Sequence, residues 1–422
     1  MNRIEKWIYD RVKNTPAVKF VLRNAYQMAF DILPTPSNES MAPIEARPGY
    51  FYGFHDRSPF AADERKVLAH RLSIPLRMPA PGEGVGIGYF DFDPSGVGKL
   101  GTFHQLGESL AWNYHKGCRL QWLDEGHIVF NTFRSGKLVA VVLDTQGKET
   151  ALLPRGIDTV SADGKWATSF SYERLHQLMP GYGYDGVEDD GCLDQQIPEK
   201  TGLYLVGTAS GDVVLIASLL YLSRLDAVPG MEKMRHFVTH TEFSPDGRYI
   251  SFLHRWVGED YRRRHSRIGI YDCYTSAIRF LPTTGMVSHY VWQDDLHLLA
   301  YCSIKEGDAH VSFHVETGDC IPVCLGTLNV DGHQSMWDAN RFITDTYPDR
   351  RRMASLYAVD MKEQAYRRIA YLYSPRRFQT KDFHAHIACD LHPRVSPSGR
   401  FVCFDSVYTG ERSLCVMPLN QL

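Results

Sequence analysis

Hydrophobic and polar residues largely alternate after a tight turn in the stretch His240–Trp256. The turn is Ser244-Pro245-Asp246-Gly247, and the apolar residues that follow it extend to Leu253. Pro fixes the first turn position, Asp hydrogen-bonds the local backbone, and Gly takes the positive φ that closes the corner. Alternation with a period of two indicates strands, so this stretch predicts an antiparallel β-hairpin.

The hairpin pattern occurs seven times along the chain. The other six copies are Phe60–His70, Trp122–Phe130, Val160–Ala167, Trp292–Leu299, Met336–Ile343 and Val395–Val402. Most copies are followed by a further short apolar strand, for example Ile268–Asp272. Repeated four-stranded units are typical of β-propellers, whereas two stacked β-sandwiches would not need one turn seven times. We predict an all-β, seven-bladed β-propeller over residues 45–422, with WD40- or TolB-like hairpin repeats and a ring closed by both chain ends.

Residues 1–44 have a different pattern. Apolar residues such as Ile4, Trp7 and Ile8 recur at roughly helical spacing among basic residues, and Pro34 and Pro36 end the pattern. The pattern predicts a short helical N-terminal extension. The extension either packs on the propeller or, as a basic amphipathic segment, contacts a membrane surface or a partner protein.

Composition excludes several classes of protein. The net charge of −3 gives no overall basic field, so we expect no nucleic-acid partner. The nine cysteines include no C-x-x-C pair, which argues against a zinc ribbon or a dithiol redox site. No apolar run reaches about 18 residues and the N-terminus has no uninterrupted apolar leader, so we expect a cytoplasmic protein.

Histidines collect at the points where hairpins begin. The positions concerned are His240, His289, His333 and His392, which open or precede the fourth to seventh copies, and His384, His386 and Asp390, which lie upstream of the last copy. A single histidine at such a point would usually be structural. Equivalent positions on successive blades converge on the axis, however, and imidazoles with a carboxylate suit manganese, iron or zinc. The pattern therefore predicts an axial divalent metal, with Cys389 as a further candidate ligand.

The stretches that contain these histidines resemble sequences of the oligogalacturonate lyase family of polysaccharide lyases. The resemblance covers roughly residues 230–420 and rests on five stretches: Thr239-His240, Ser266-Arg267-Ile268-Gly269, Ser288-His289, Gly332-His333 and Asp390–Pro397. Members of the family are seven-bladed propellers that cleave short uronic acid oligomers by β-elimination with a manganese-type ion on the axis. The N-terminal half, with Tyr52–Asp56 and Gly117–Trp122, looks like the wider set of propeller lyases linked to bacterial glycans.

The resemblance implies a role for each matched residue. It implies His289 as the catalytic base, Arg267 as the partner of the substrate carboxylate, and His333 and His392 as metal ligands. One or more of Asp390, His384, His386 and His240 would complete the ligand set. Candidate substrate-binding residues are His240, His55, Arg119, Tyr182 and Tyr184, and of these Tyr182, Tyr184 and His55 are candidate proton donors. The family has a second histidine where this chain has Asp390, and its glutamine ligand has no counterpart at Ile387. Manganese is the expected ion, with zinc or calcium as alternatives.

Two classes of function follow from these patterns. One is a lyase that cleaves an acidic oligosaccharide or polysaccharide, because a metal and a guanidinium can neutralise a uronate carboxylate while an imidazole removes the neighbouring proton. The other is a non-catalytic propeller that binds glycan or protein in bacterial polysaccharide metabolism. Hydrolysis by paired carboxylates of the run Asp185–Asp190 is a minor alternative. The basic run Arg262–His265 predicts a solvated loop, or one that attracts an anionic sugar at the channel mouth.

Overall fold

The computed structural model describes residues 34–187, 191–260, 263–380 and 385–420. In this part of the chain, 28 strands form seven antiparallel sheets arranged as the blades of a propeller. The helical pattern predicted for the N-terminus falls mainly on residues 1–33, which lie outside the described residues. No helix in the described part is long and apolar enough to cross a membrane.

Blades 1 to 3 come from the first half of the chain. Blade 1 consists of β3 (Tyr50–Phe51), β4 (Lys66–Arg71), β5 (Val85–Asp93) and β6 (Lys99–Ser109). Blade 2 consists of β7 (Gln121–Trp122), β8 (His127–Arg134), β9 (Lys137–Asp144) and β10 (Glu149–Leu153). Blade 3 consists of β11 (Trp166–Ser169), β12 (Gly202–Gly207) and β13 (Val213–Ser218), with a bridge from Val160 to Ala167 as its inner strand.

Blades 4 to 7 come from the second half and from the first strands of the chain. Blade 4 consists of β14 (Arg235–Phe243), β15 (Tyr249–Val257), β16 (Arg264–Asp272) and β17 (Ile278–Phe280), and blade 5 of β18 (Val287–Trp292), β19 (His297–Ile304), β20 (Gly307–His314) and β21 (Cys320–Val323). Blade 6 consists of β22 (Ser335–Met336), β23 (Arg341–Asp345), β24 (Met353–Asp360), β25 (Ala365–Tyr373) and β1 (Glu39–Ser40). Blade 7 consists of β26 (Arg394–Val395), β27 (Phe401–Ser406), β28 (Ser413–Pro418) and β2 (Glu45–Pro48).

Two short α-helices interrupt the strand pattern on either side of β12 and β13. They are α1 (Tyr172–Leu178), whose N-terminus is capped by the Ser171 side chain, and α2 (Leu219–Arg224), which Ser218 caps. A capping hydroxyl accepts one of the backbone N–H groups that a helix N-terminus leaves unpaired. Short 3-10 turns lie at Met231–Lys233 and Arg376–Phe378.

All seven predicted hairpins are present. Each forms where a turn of four or five residues brings two antiparallel strands together, as at Ser244–Gly247 between β14 and β15. The hairpin of blade 5 pairs Trp292 with Leu298, and that of blade 7 pairs Val395 with Val402. The seven-bladed all-β architecture is thus confirmed.

The hydrophobic core lies between neighbouring blades. In β27, Phe401 and Cys403 pack with blade 1, while Val402 and Phe404 pack with blade 6. Successive side chains of a strand point to opposite faces, and both faces of a blade are covered in a ring. Buried apolar residues therefore occur without interruption in these strands.

The N-terminal strands close the ring, as predicted. β2 pairs with β28 and completes blade 7, β1 adds to the outer edge of blade 6, and β3 begins blade 1. A closed ring leaves no inter-blade face exposed to water. Residues Glu39–Phe51 therefore connect three blades, and β1 and β2 pair with strands more than 300 residues away along the chain.

Covalent linkage of the two ends should stabilise the propeller. Ala46 in β2 faces Cys415 in β28, and both pack against the same core cluster. In Ala46→Cys we expect a disulfide with Cys415 that raises the free energy of unfolding by about 2–4 kcal/mol. Thermal melts with and without reductant measure the effect, and Ala46→Ser is the matched control. An unchanged melt despite a formed disulfide would contradict closure through these strands.

Candidate active site

The inner strands of the propeller bring six histidines together around one aromatic ring. The Phe54 ring centroid lies 4.6 Å from that of His55 and 6.0 Å from those of His289 and His333. We call this group the histidine chamber; its members are Phe54, His55, His115, His240, His289, His333 and His392. All are buried. The predicted convergence of hairpin-leading histidines on the axis is present in this geometry.

Four of the buried side chains form a group that could bind a metal. His115, His333, Asp390 and His392 place potential ligand atoms within 4.8 Å of one another, and we call them the ligand cluster. Burial raises the pKa of Asp390 to about 6. Among the residues that the structure describes, neither nitrogen of His115 has a hydrogen-bond partner, and neither does Nε2 of His333 or His392. Unsatisfied buried polar atoms are costly, so these lone pairs fit a bound cation.

Asp345 in β23 orients two members of the ligand cluster. Its carboxylate accepts a hydrogen bond from His333 Nδ1 at 2.9 Å and from the backbone N–H groups of His333 and His392 at 2.7 and 2.9 Å. Burial lowers the pKa of His333, but Asp345 raises it and leaves it above the ordinary value. Because Nδ1 donates its proton to a carboxylate, the lone pair on Nε2 stays available to bind a metal, as in many histidine-ligated sites.

Two chamber histidines have strained backbone conformations. His240 has φ of 53° and His392 has φ of 47°, in the left-handed region that side chains other than Gly rarely adopt. Such strain persists only where surrounding contacts enforce it. The Tyr290 hydroxyl donates to the His240 carbonyl, and the Asp345 carboxylate accepts from the His392 N–H.

His289 lies beside the ligand cluster and is anchored from behind. Its ring centroid is 4.0 Å from that of His333. Its Nδ1 lies 3.1 Å from Ser288 Oγ and 3.4 Å from Asp331 Oδ1. Burial, followed by the charge of His333, lowers the pKa of His289 to about 4. The imidazole is therefore neutral at pH 7.

A cleft of about 510 Å³ opens beside Asp390. Polar and aromatic side chains line much of it, among them Tyr182, Tyr347, Arg264, Arg352 and His386. Arg264 belongs to the predicted basic loop and is the first residue of β16. The cleft thus joins the ligand cluster to a cationic rim.

Arg255 is a second cation near the chamber. It is buried, its Nη2 donates to the carbonyls of Val287 and Ser288, and its Nε has no partner. Burial, followed by the charge of Arg264, lowers its pKa to about 9. Within the described residues no carboxylate forms an ion pair with it. A buried guanidinium without a counter-charge favours an anionic ligand.

The structure does not place Arg267 in the histidine chamber. Arg267 lies in β16, the third strand of blade 4, and its Nη groups donate to the carbonyls of Leu222, Leu225 and Asp226. Its guanidinium packs on Phe280, 3.4 Å from the ring centroid. The guanidinium holds the end of α2, so the prediction that it meets a substrate carboxylate has no support in this geometry.

Two predicted substrate-binding residues also have structural contacts. Arg119 makes a bidentate ion pair with Asp56 at 2.6 and 2.9 Å and a second pair with Asp158 at 3.0 Å. Tyr184 stacks on Tyr172 and contacts Asn131 through its hydroxyl, inside the core. Since both side chains are buried and engaged, the structure gives neither of them a place in the cleft.

The remaining predicted residues lie near the chamber or outside the described part. Tyr182 lines the cleft with its ring 4.2 Å from that of His115. His386 lies 5.0 Å from the His115 ring, outside the ligand cluster. His55 donates through Nδ1 to the Gln334 carbonyl at 3.0 Å, which leaves its Nε2 lone pair unprotonated. His384 lies outside the described residues.

Sequence reasoning missed His115. It precedes Trp122 by seven residues, not by the three or four that separate the other histidines from their hairpins. The extra length is a small loop closed by hydrogen bonds between Asn113 and Gly117. Asp331, Asp345 and Arg255 were also missed, because only tertiary contacts bring them to the chamber.

Comparisons show what the chain resembles. No protein-family model and no curated protein sequence matches it. An oligogalacturonate lyase solved in complex with manganese matches with a TM-score of 0.58 and 13% identity over 92% of this chain and 100% of that one. The fold is that of the oligogalacturonate lyases.

Two further solved structures fit this result. An oligogalacturonate lyase from Vibrio parahaemolyticus matches with a TM-score of 0.57 and 13% identity over 92% of this chain and 99% of that one. The tricorn protease matches with a TM-score of 0.51 and 12% identity over 92% of this chain and 35% of that one. The predicted resemblance is confirmed at the level of the fold.

The contacts of Arg267 predict a measurable acid sensitivity. Arg267 Nε donates to His254 Nδ1 at 3.2 Å, His254 Nε2 then donates to His236 Nδ1 at 2.9 Å, and His236 Nε2 donates to the Met231 carbonyl at 2.7 Å. Burial lowers the pKa of His236 to about 4 and that of His254 well below 6.5. The stability that the protein gains from keeping these two imidazoles neutral and hydrogen-bonded is complete above pH 6.5 and is lost as the pH falls towards 4.

His254→Gln should therefore flatten the pH dependence of unfolding. We expect the slope of unfolding free energy against pH between 6.5 and 4 to decrease by up to about 1.4 kcal/mol per pH unit. Denaturant titrations at several pH values measure the slope, and His104→Gln at a more exposed site is the control. Equal slopes for His254→Gln and the parent would contradict this account.

Proposed function

We propose that the protein is a metal-assisted lyase that cleaves a uronic-acid-containing oligosaccharide or polysaccharide by β-elimination. The observation that carries the proposal is the ligand cluster at the axis with His289, whose ring lies 4.0 Å from that of His333. The cationic cleft beside Asp390 supports an acidic substrate. The oligogalacturonate lyases that share the fold support the same reaction class.

The ligand cluster would hold one divalent ion through His115, His333, Asp390 and His392. Three imidazoles and one carboxylate suit manganese, iron or zinc, whereas calcium prefers all-oxygen sites. His115 comes from another blade and offers a donor where the family's glutamine has no counterpart. When bound, such an ion supplies a Lewis acid that polarises the substrate carboxylate.

Arg264 takes the role first predicted for Arg267. Its side chain lines the cleft, and the buried Arg255 adds a second positive charge behind it. A guanidinium facing the uronate carboxylate offsets its charge and makes the neighbouring C–H proton more acidic. This help is needed because a base with a pKa of about 4 removes a weakly acidic proton slowly.

His289 is the proposed base and Tyr182 the proposed acid. The proton on the carbon next to the carboxylate passes to His289 Nε2, a carbon–carbon double bond forms, and the bond to the leaving sugar oxygen breaks. Burial raises the pKa of Tyr182, so its hydroxyl keeps a proton to give to that oxygen. Both side chains lie on the chamber or cleft.

Metal binding tests the first part of the proposal. We expect about one Mn²⁺ per chain by calorimetric titration, and loss of binding in His333→Ala and His115→Ala because each removes a ligand. Asp345→Asn should weaken binding by about 10–100-fold, as expected for a residue that orients a ligand. His104→Ala, remote from the cluster, is the control. Unchanged binding in His333→Ala would exclude this site.

Activity tests the second part. Ultraviolet absorbance of the unsaturated uronide, measured over a panel of uronic oligomers with Mn²⁺, should show turnover by the parent protein. His289→Gln should lower kcat by about 10²–10⁴-fold because the base is lost, with little change in binding of the oligomer.

Arg264→Ala should lower kcat and raise KM, because the substrate carboxylate is charged in both the ground state and the transition state. Arg263→Ala is the matched control, since Arg263 is exposed in the same basic run. If the oligomers bind but no variant or parent forms the unsaturated product, the non-catalytic glycan-binding propeller is the better description.

A further inference from the structure

The Ser288 hydroxyl has one proton to donate, and only one of its two neighbours, Asp331, can be the acceptor. Ser288 Oγ lies 2.6 Å from Asp331 Oδ2 and 3.1 Å from His289 Nδ1. An ionised carboxylate only accepts hydrogen bonds, so Ser288 donates to Asp331. Its oxygen can then only accept from the imidazole. It follows that His289 carries its proton on Nδ1.

Asp331 reinforces this arrangement directly. Its other oxygen, Oδ1, lies 3.4 Å from His289 Nδ1. Both carboxylate oxygens are thus directed to the same corner of the site, one through Ser288 and one towards the ring. Because Nε2 is on the other side of the imidazole, it keeps an unprotonated lone pair at neutral pH.

The backbone places Asp331 next to the ligand cluster. Gly332 separates Asp331 from His333, and a Cβ at Gly332 would lie 2.0 Å from the Asp345 carbonyl oxygen. Only glycine allows the chain to pass so close to Asp345. Asp331 and Asp345 therefore each direct a carboxylate oxygen to Nδ1 of one of two adjacent imidazoles, at 3.4 Å for His289 and 2.9 Å for His333.

We propose that Asp331 and Ser288 are a positioning pair that fixes the His289 tautomer with a proton on Nδ1 and a lone pair on Nε2. The inference rests on the proposed role of His289 as the base. With the opposite tautomer, Nε2 would carry a proton and could not accept one from the substrate. Neither residue of the pair needs to touch the substrate.

Two substitutions separate the contributions of the pair. In Asp331→Asn the new amide can donate an N–H to Ser288 Oγ. The Ser288 hydroxyl then no longer has to donate to residue 331, so it can donate to His289 Nδ1 instead. We expect the Nε2–H tautomer to become populated. In Ser288→Ala the carboxylate remains and accepts from Nδ1 directly, so we expect the tautomer of the parent to persist.

Nitrogen NMR of the full chain reads the tautomer without turnover. The protein is labelled with ¹⁵N-histidine and measured at neutral pH with Zn²⁺, which is diamagnetic, and His289→Gln assigns the signal. The parent and Ser288→Ala should show a protonated Nδ1, and Asp331→Asn a substantial Nε2–H population. Asp331→Ala, which also frees the Ser288 proton, serves if Asp331→Asn does not fold. A protonated Nδ1 in the folded Asp331 variants would overturn the proposal.

Kinetics give a second readout. We expect Asp331→Asn to lower kcat by about 10²-fold or more at nearly constant KM, since loss of the tautomer in a serine-protease triad costs about 10⁴-fold. Asp331→Glu should recover part of the loss, and thermal melts should match the parent. Full kcat in Asp331→Asn would also overturn the proposal. If the parent cleaves no uronide, the proposed function fails and the tautomer spectra alone decide this inference.

Discussion

Buried aspartates that accept backbone N–H groups from a neighbouring blade hold the centre of the propeller together. The cases are Asp405 with Tyr52 and Gly53, Asp158 with Thr241, and Asp345 with His392. The innermost strand of a blade has no further strand beside it, so these N–H groups would otherwise be buried without partners. Leaving one such buried N–H group without an acceptor costs about 1–3 kcal/mol. Ring closure at the axis therefore depends on a few carboxylates.

The same carboxylates connect the fold with the candidate site. Asp345 binds the backbone of blade 7 and also orients the imidazole of His333. Asp158 accepts from Thr241 and pairs with Lys116 at 3.1 Å, while Arg119 bridges Asp158 and Asp56. This network contains two carboxylates and two cationic side chains, so its negative and positive charges balance within the protein. The ligand cluster differs, because within the described residues both nitrogens of His115 and Nε2 of His333 and His392 lack hydrogen-bond partners.

The sequence predicts the blades better than the site, for a physical reason. A hairpin is specified by adjacent residues such as Ser244–Gly247, so all seven copies could be found without a structure. His333 and His392 were found because they precede hairpins directly. His115 was missed because a closed loop lengthens the segment before its hairpin. Spacing along the sequence also does not reveal that Arg267 belongs to the third strand of blade 4, outside the chamber. Contacts such as that of Asp331 with His289 join different blades and leave no local pattern.

The energetic costs of the histidine chamber support the proposal of a reaction centre. A propeller that only bound an acidic glycan would need the cationic rim of Arg255 and Arg264, and burying uncharged imidazoles behind it would gain no affinity. Their burial instead lowers stability, because His115, His240 and His392 keep nitrogens without partners. Left-handed backbone at His240 and His392 adds further strain. These costs support the proposed function, in which the lone pairs of the chamber bind a cation and accept a proton.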